Sequence, residues 1–333
     1  MTILISPHIE ASFQPHISEY AGDGVAVRTS SLEAPLDDHL ANDITAAYVS
    51  LDVIRSARGT NAKHAFGHFS DLLRAAPRLR WVHTAIAGAD HPLYKDLIAR
   101  GVAVTTSSGA NAHAVAHTAI AGIMALARGV PQWLDTQSRK AWEPLDGPRT
   151  PRDLQNQRIT IIGLGPIGIE IGQIARALGM HVSGVRRKPE PVQGFDQVVT
   201  FEQLHELLPR TDWLVLACPL TEITRNLIDR VAFELLPDGA RLINVGRGGV
   251  VDEDALLNAL SKGRLAGAYS DVFAVEPLPA DSPLWQAPNL IISSHTAGRT
   301  DGAEARATQI FLDNLHRWLV DEPLVNLVGL PTQ

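Results

Sequence analysis

The run Gly163-Leu164-Gly165-Pro166-Ile167-Gly168 constrains this chain more than any other stretch. It fits Gly-x-Gly-x-x-Gly, a spacing that is a weak signal when it stands alone. Here a β-branched run, 158–163, precedes it, and an amphipathic run, 166–178, follows. A strand entering a glycine turn that opens a helix is the context in which the motif has a mechanism. Gly163 permits a tight turn, Gly165 lets the backbone approach a pyrophosphate, and Gly168 lets helix and strand pack closely. Unpaired N–H groups at the helix start then face the anion. Gly179 is placed to end that helix in the left-handed conformation.

Strands and helices alternate on both sides of this loop. After it, 181–185, 212–217, 240–245, 265–271 and 289–293 read as strands, with helices near 201–208, 229–236 and 252–262. With 158–163 they make six strands of a doubly wound dinucleotide-binding domain. Asp252, Glu253 and Asp254 open one of the helices, where negative charge favours the dipole. Before the loop, 2–6, 47–51, 80–85 and 102–106 read as strands and 62–76 and 92–100 as helices, which implies a second parallel α/β unit. An Ala-rich helix, 110–128, and a polar stretch with Pro and Trp, 131–151, lie between the two. A helical pattern at 301–320 closes the chain. A length of 333 residues suits two domains. The expected fold class is α/β.

Composition excludes some functions. The net charge of −7 argues against a nucleic-acid partner, which needs a basic face to gain from counterion release. The one cysteine, Cys218, cannot form an internal disulfide, so a reducing compartment fits. The start of the chain has no basic n-region and no long apolar segment. The most apolar helical stretch, 112–130, carries His113, His117 and Arg128, which suits a buried helix rather than a membrane span. A cytoplasmic protein with no membrane partner is expected.

Strand ends carry the chemistry, because ligands of open α/β sheets bind beyond the carboxyl ends of the strands. The second strand normally ends in an acid that holds a ribose hydroxyl, about 20 residues past the loop. This chain has Arg186, Arg187 and Lys188 there. An acid would repel a 2′-phosphate, whereas a planar guanidinium fork attracts it. NADP(H) is therefore expected over NAD(H), with NAD(H) still possible. On the same edge, Arg247, Glu276 and His295 follow the fourth, fifth and sixth strands. Hydride transfer to a 2-keto acid needs a proton donor near neutral pH, which a His supplies. A Glu would hold its tautomer, and an Arg would bind the substrate carboxylate and polarise the carbonyl.

Seven segments carry a wider likeness: WVHTAIAGAD, GANAHAVAH, IIGLGPIG, LACPLTEITRNLI, LINVGRGGVVDEDAL, DVFAVEPLP and SSHTAGRT. With them the chain resembles, over nearly its whole length, the D-isomer-specific 2-hydroxyacid dehydrogenase family. The resemblance implies that Arg247 orients substrate, Glu276 pairs with the catalytic histidine, and His295 is the acid/base. It implies that Asp271 holds the nicotinamide carboxamide and that Pro166, Ile167, Cys218, Pro219 and Thr224 line the cofactor. Val245, Gly246, Ala297 and His295 itself, at strand ends on the same edge, count with the cofactor contacts. Backbone N–H groups at Ala87 and Gly88 would bind the substrate carboxylate.

The resemblance also implies a flavodoxin-like substrate domain, 1–106 with 299–333, into which a Rossmann-type cofactor domain, 107–298, is inserted. The family's site lies in the cleft, where closure excludes water. A homodimer is implied, with Trp133 and Trp142 as possible anchors. Two departures stand out: His117 where the family has Glu, and Ser294 where Pro commonly precedes the catalytic His. The activity implied is NADPH-dependent reduction of a small 2-keto acid of the glyoxylate or hydroxypyruvate class. The alternatives are an NAD-dependent dehydrogenase of phosphoglycerate or larger D-2-hydroxy acids, and a non-catalytic, corepressor-like nucleotide sensor. The formate branch carries Gln in place of Glu276. His64, His68, His83, His91 and His113 lack the cysteine pairs or HExxH spacing of a zinc site, so no metal is expected. Cys218 has no nearby base and reads as a small strand-end residue.

Overall fold

The computed structural model describes residues 1–21, 25–30, 38–56 and 63–328. The chain divides into two units, Met1–Asn111 with Thr300–Gln333, and Ala112–Arg299. In chain order the second is inserted into the first. The borders lie a few residues from those expected. Ser107 explains part of the shift: its N–H donates to the carbonyls of Thr84 and Ile86, which ties the turn after residue 106 to the first sheet.

The first unit has five parallel strands: β1 (Thr2–Ile5), β2 (Ala26–Thr29), β3 (Ala46–Val49), β4 (Trp81–Thr84) and β5 (Ala103–Thr106). Their order, β2-β1-β3-β4-β5, is that of flavodoxin-like sheets. Around them lie α1 (Pro7–Ala21), α2 (Asp38–Asp43), α3 (Leu51–Ser56), α4 (Lys63–Ala75), α5 (Pro92–Ala99) and the C-terminal helix Ala303–Leu319. The sequence reading missed β2, a four-residue edge strand without apolar alternation. On one face the rings of Tyr48 and Phe311 stack at 4.4 Å, and Trp81 stacks on Phe311 at 5.7 Å and on Trp318 at 5.6 Å. The C-terminal helix is thereby part of this core.

His83 on β4 is fully buried beside these rings. Trp81 Nε1–H donates to Thr105 Oγ1 at 2.9 Å, and the Thr105 hydroxyl proton faces His83 Nδ1 at 2.8 Å. His83 Nε2–H then donates to Ser107 Oγ at 2.9 Å, whose own proton goes to the Thr84 carbonyl at 3.1 Å. This network assigns the neutral Nε2–H tautomer. Burial lowers the His83 pKa from 6.5 to about 3.

The second unit has seven parallel strands: β6 (Arg158–Ile162), β7 (His181–Val185), β8 (Gln197–Val199), β9 (Trp213–Leu216), β10 (Ala240–Asn244), β11 (Leu265–Ser270) and β12 (Leu290–Ile292). The order β12-β11-β10-β9-β6-β7-β8 puts the topological switch at the β6/β9 pair, as in a doubly wound sheet. One more strand is present than expected, because β8 is only three residues long. The helices are α6 (Ala112–Arg128), α7 (Val130–Ser138), α8 (Pro166–Ala177), α9 (Leu204–Leu207), α10 (Arg230–Leu235) and α11 (Glu253–Ser261).

Three details bear on the sequence reading. Gly179, at φ +79°, follows α8 in the left-handed region, as expected. Asp252 caps α11 rather than entering it: its side chain accepts the Ala255 N–H at 3.0 Å, leaving Glu253 and Asp254 in the first turn. The first part of the polar stretch 131–151 is helical, in α7. No single helix among the described residues is long and apolar enough to cross a membrane. Ala116, Ala119, Ile123, Leu126 and Ala127 of α6 belong to the core of the second unit.

The His83 geometry sets the sign of an acid response. The folded-state pKa is depressed, so the unfolded chain takes up the proton first. The stabilisation is complete above pH 6.5 and is lost as pH falls toward 3. Urea unfolding followed between pH 7.5 and 5 is expected to lose up to about 1.4 kcal/mol per pH unit to this group. His83→Gln removes that part of the slope; an identical slope in the variant contradicts the assignment.

Candidate active site

The carboxyl edge of the seven-stranded sheet is built from bare backbone. At Gly163, φ is +97° and a Cβ would stand 2.7 Å from the Ala217 carbonyl and from the Cys218 backbone. At Gly168 a Cβ would stand 2.0 Å from the Gly163 carbonyl. Neither position admits a side chain. Gly165 is different: a Cβ there would meet nothing within 4 Å. It faces open space at the start of α8, where Pro166 needs no N–H partner. An unencumbered backbone beside a helix N-terminus fits the pyrophosphate of a dinucleotide.

The neighbouring segments take distinct places. Ile167 is half-buried, and Pro166 and Pro219 are exposed. Cys218 is buried under the glycine turn, and that burial pushes its thiol pKa up to about 11. Thiolate is therefore scarce at neutral pH, which agrees with a packing residue. Thr224 is also buried. Its hydroxyl donates to the Pro219 carbonyl at 2.7 Å and accepts the Thr221 N–H at 2.8 Å, so the side chain closes the 219–224 turn. At β7, the Arg186 N–H donates to the Val199 carbonyl at 3.0 Å, and the Arg186 guanidinium lies 3.8 Å from the Glu190 carboxylate. A loose, solvent-facing pair of this kind contributes little and exchanges readily for a stronger anion. Arg187 and Lys188 are exposed beside it.

Arg247 follows β10 in a turn held by a buried amide. Asn244 Oδ1 accepts the Gly246 N–H at 3.1 Å, and Asn244 Nδ2 donates to the Arg247 carbonyl at 3.3 Å. Val245 and Gly246 are buried there. The half-buried Arg247 side chain donates from Nη1 to the Gly246 carbonyl at 2.8 Å.

His295 and Glu276 meet. His295 Nδ1 lies 2.7 Å from Glu276 Oε2, with side chains 42% and 35% exposed. The other Glu276 oxygen accepts the Phe273 N–H at 3.0 Å, which fixes the carboxylate. A carboxylate at Nδ1 requires a proton on that nitrogen, so Nε2 is the atom that exchanges protons with a ligand.

Asp271 holds the segment that carries His295, a role the sequence reading did not foresee. The Asp271 side chain is 3% exposed. Its Oδ1 accepts from Ser293 Oγ at 2.5 Å and from the Thr296 N–H at 2.8 Å, and Oδ2 accepts the Ala297 N–H at 3.0 Å. Its carbonyl accepts the His295 N–H at 2.8 Å. Tyr269 OH lies 2.7 Å from Ser293 Oγ, whose proton is committed to Asp271, so the tyrosine donates. His295 sits within this grip at φ +51°, a left-handed conformation uncommon outside glycine. No motif covered Tyr269, and SSHTAGRT begins at Ser293 without assigning it a role, because the roles of both depend on partners from other strands. Ser294 and His117 occupy the positions where the family pattern departs.

In the first unit, Ala87 and Gly88 form an irregular turn after β4, with Ala87 exposed. His91, His68 and His113 have local partners. His91 Nδ1 caps α5 by accepting the Leu93 N–H at 3.2 Å, His68 Nε2 lies 3.4 Å from Ser30 Oγ, and His113 Nδ1 lies 3.1 Å from Glu170. The His64 side chain lies outside the described residues. Among the described residues no group of three or more His, Cys, Asp or Glu is placed to hold a metal ion.

Comparison with known proteins gives a consistent picture. The family model described as D-isomer specific 2-hydroxyacid dehydrogenase, NAD binding domain, matches residues 120–297. The chain is 33% identical over 303 residues to glyoxylate/hydroxypyruvate reductase B of Pectobacterium carotovorum, covering 90% of this chain and 94% of that one. It is 31% identical over 262 residues to D-3-phosphoglycerate dehydrogenase of Methanocaldococcus jannaschii, covering 78% of this chain and 49% of that one. Among solved structures, a D-isomer specific 2-hydroxyacid dehydrogenase of Xanthobacter autotrophicus, in complex with NADPH and MES, matches with a TM-score of 0.77 at 28% identity over 98% of each chain.

The grip of Asp271 can be measured apart from activity. Asp271→Asn keeps the size but turns an NH2 toward one of three donors. Denaturant unfolding is expected to show a loss of about 2–3 kcal/mol, the cost of unpaired buried polar groups. A change within ±0.5 kcal/mol would contradict the role.

Proposed function

The chain belongs to the D-isomer specific 2-hydroxyacid dehydrogenase family, whose members are NAD(P)-dependent enzymes, and from that membership we propose that it uses NADPH to reduce a small 2-keto acid of the glyoxylate and hydroxypyruvate class. The observation that carries the reading is the His295–Glu276 pair at 2.7 Å, on the sheet edge where Arg247 and the glycine turn also emerge. The reductase of Pectobacterium carotovorum supports the substrate class, and Arg186 at the end of β7 supports the cofactor.

In this reading the bound nicotinamide supplies the hydride. Arg247 binds the substrate carboxylate; the Ala87 and Gly88 N–H groups remain the substrate contacts that the family resemblance implies. Protonated His295 gives its Nε2 proton to the carbonyl oxygen as that oxygen gains charge, and is left neutral. Glu276 keeps the Nδ1 proton in place throughout. The backbone at Gly165 would take the pyrophosphate, in a turn that Gly163 and Gly168 shape, and Arg186, Arg187 and Lys188 would hold the 2′-phosphate. We assign a homodimer as the working form, supported by the exposure of Trp133, Leu134 and Trp142. A second reading, oxidation of phosphoglycerate with NAD, is favoured by the likeness to the Methanocaldococcus jannaschii enzyme.

Two experiments test the proposal. Absorbance of the reduced nicotinamide is followed with NADPH and NADH against glyoxylate, hydroxypyruvate and phosphohydroxypyruvate. NADPH with one of the two smaller acids is expected to give the highest kcat/KM, and Arg186→Asp is expected to shift preference toward NADH. Highest kcat/KM with NADH and the phosphorylated acid supports the second reading, and nucleotide binding without turnover supports a sensor. Separately, His295→Ala is expected to lower kcat by about 10²–10⁴-fold. Near-normal turnover would remove His295 from the chemistry.

A further inference from the structure

The opposite edge of the seven-stranded sheet carries a second candidate site. Parallel pairing sets Arg158 beside His181, Thr160 beside Ser183, and Ser183 beside Gln197. The period of two along each strand turns all five side chains to one face. A parallel sheet covered on both sides is normally apolar on both. On this face only the carboxyl halves of these strands follow that rule: Ile162, Val185 and Val199 pack with Leu204 and Leu207 of α9. That helix is four residues long and covers no more. The uncovered half is a solvent-open cavity of about 270 Å³, completed by Asp196, Leu207 and Arg210.

The lining is rich in donors. Arg158 and Arg210 bring two guanidinium groups, the Ser183 hydroxyl accepts from Gln197 Nε2 at 3.3 Å and keeps its own proton to donate, and His181 Nδ1 lies 3.7 Å from Asp196. Arg210 Nη2 donates to the uncharged Gln197 Oε1 at 3.3 Å. The one carboxylate among the lining residues, Asp196, is engaged by the Arg176 guanidinium and by the Val182 N–H. Two planar forks facing one small space, with the nearby acid already paired, match an oxyanion. The place is distinct from the glycine turn: Arg158 begins β6 and Gly163 follows its end, roughly 15 Å away at the rise of a strand.

We propose that this cavity binds a small polyanion bearing carboxylate or phosphate groups, separately from nucleotide and substrate. The inference does not rest on the proposed reaction. Isothermal titration of the full chain with citrate and with pyrophosphate tests it, with ionic strength held constant by sodium chloride. At least one probe is expected to bind saturably with one site per chain, and the preferred probe identifies the anion as carboxylate or phosphate. Arg158→Gln and Arg210→Ala, each with an unchanged melting temperature, are expected to weaken that binding at least about tenfold. Arg186→Ala, at the other edge, is expected to leave it intact. Absence of saturable binding by both probes, binding that survives both substitutions, or binding that is lost in Arg186→Ala would overturn the proposal.

Discussion

The carboxylate of Asp271 holds together the part of the molecule that matters most for its chemistry. A histidine at positive φ is unfavourable by itself, and a loop at a strand end has few neighbours to enforce it. Here four groups of the five-residue segment 293–297 bond to one residue: the Ser293 hydroxyl and the N–H groups of His295, Thr296 and Ala297. Three of them are accepted by the buried carboxylate, so they are charge-assisted and shielded from water, and the His295 N–H is accepted by the main-chain carbonyl of the same residue. The imidazole therefore leaves the sheet in one direction, and Glu276 meets it there. Orientation is settled before any ligand arrives, which lowers the entropy to be lost at the reacting carbon.

The same economy appears at the glycine turn. Three glycines serve three separate steric demands, and only one of them, Gly165, faces open space. Gly163 and Gly168 bring β6, α8 and the segment after β9 into backbone contact, and that contact sets where the first turn of α8 points. Asn244 does the corresponding work for Arg247: its side chain accepts the Gly246 N–H and donates to the Arg247 carbonyl. Each charged group at this edge is thus aimed by a buried polar or backbone group behind it.

Much of this could be read from residue order, for identifiable reasons. The β-branched strand 158–162 and the apolar strand 213–216 announce themselves, and the glycine spacing makes sense only between a strand and a helix. The strand-end positions of Arg247, Glu276 and His295 follow once the strands are placed. Short edge elements do not announce themselves: β2 and β8 have too few residues for alternation to show. Helix α7 buries no residue and so carries no apolar stripe. Thr224 reads as a polar residue next to a ligand edge, yet its hydroxyl is spent inside its own turn. The loop-holding role of Asp271 rests largely on backbone N–H groups more than twenty residues away, which no side-chain pattern encodes. The polar half-face of β6–β8 was open to reading, since Arg158, Thr160, His181 and Ser183 break the apolar rule. Its meaning depends on the shortness of α9.

The measurement that tests the central claim most directly is a crystal structure of the chain with NADPH and oxamate, an unreactive mimic of a 2-keto acid. The account predicts His295 Nε2 within about 3 Å of the oxamate amide-carbonyl oxygen, with Nδ1 still on Glu276 and the 293–297 segment still bonded to Asp271. An imidazole turned away from that oxygen, or separated from Glu276 in the complex, would contradict it.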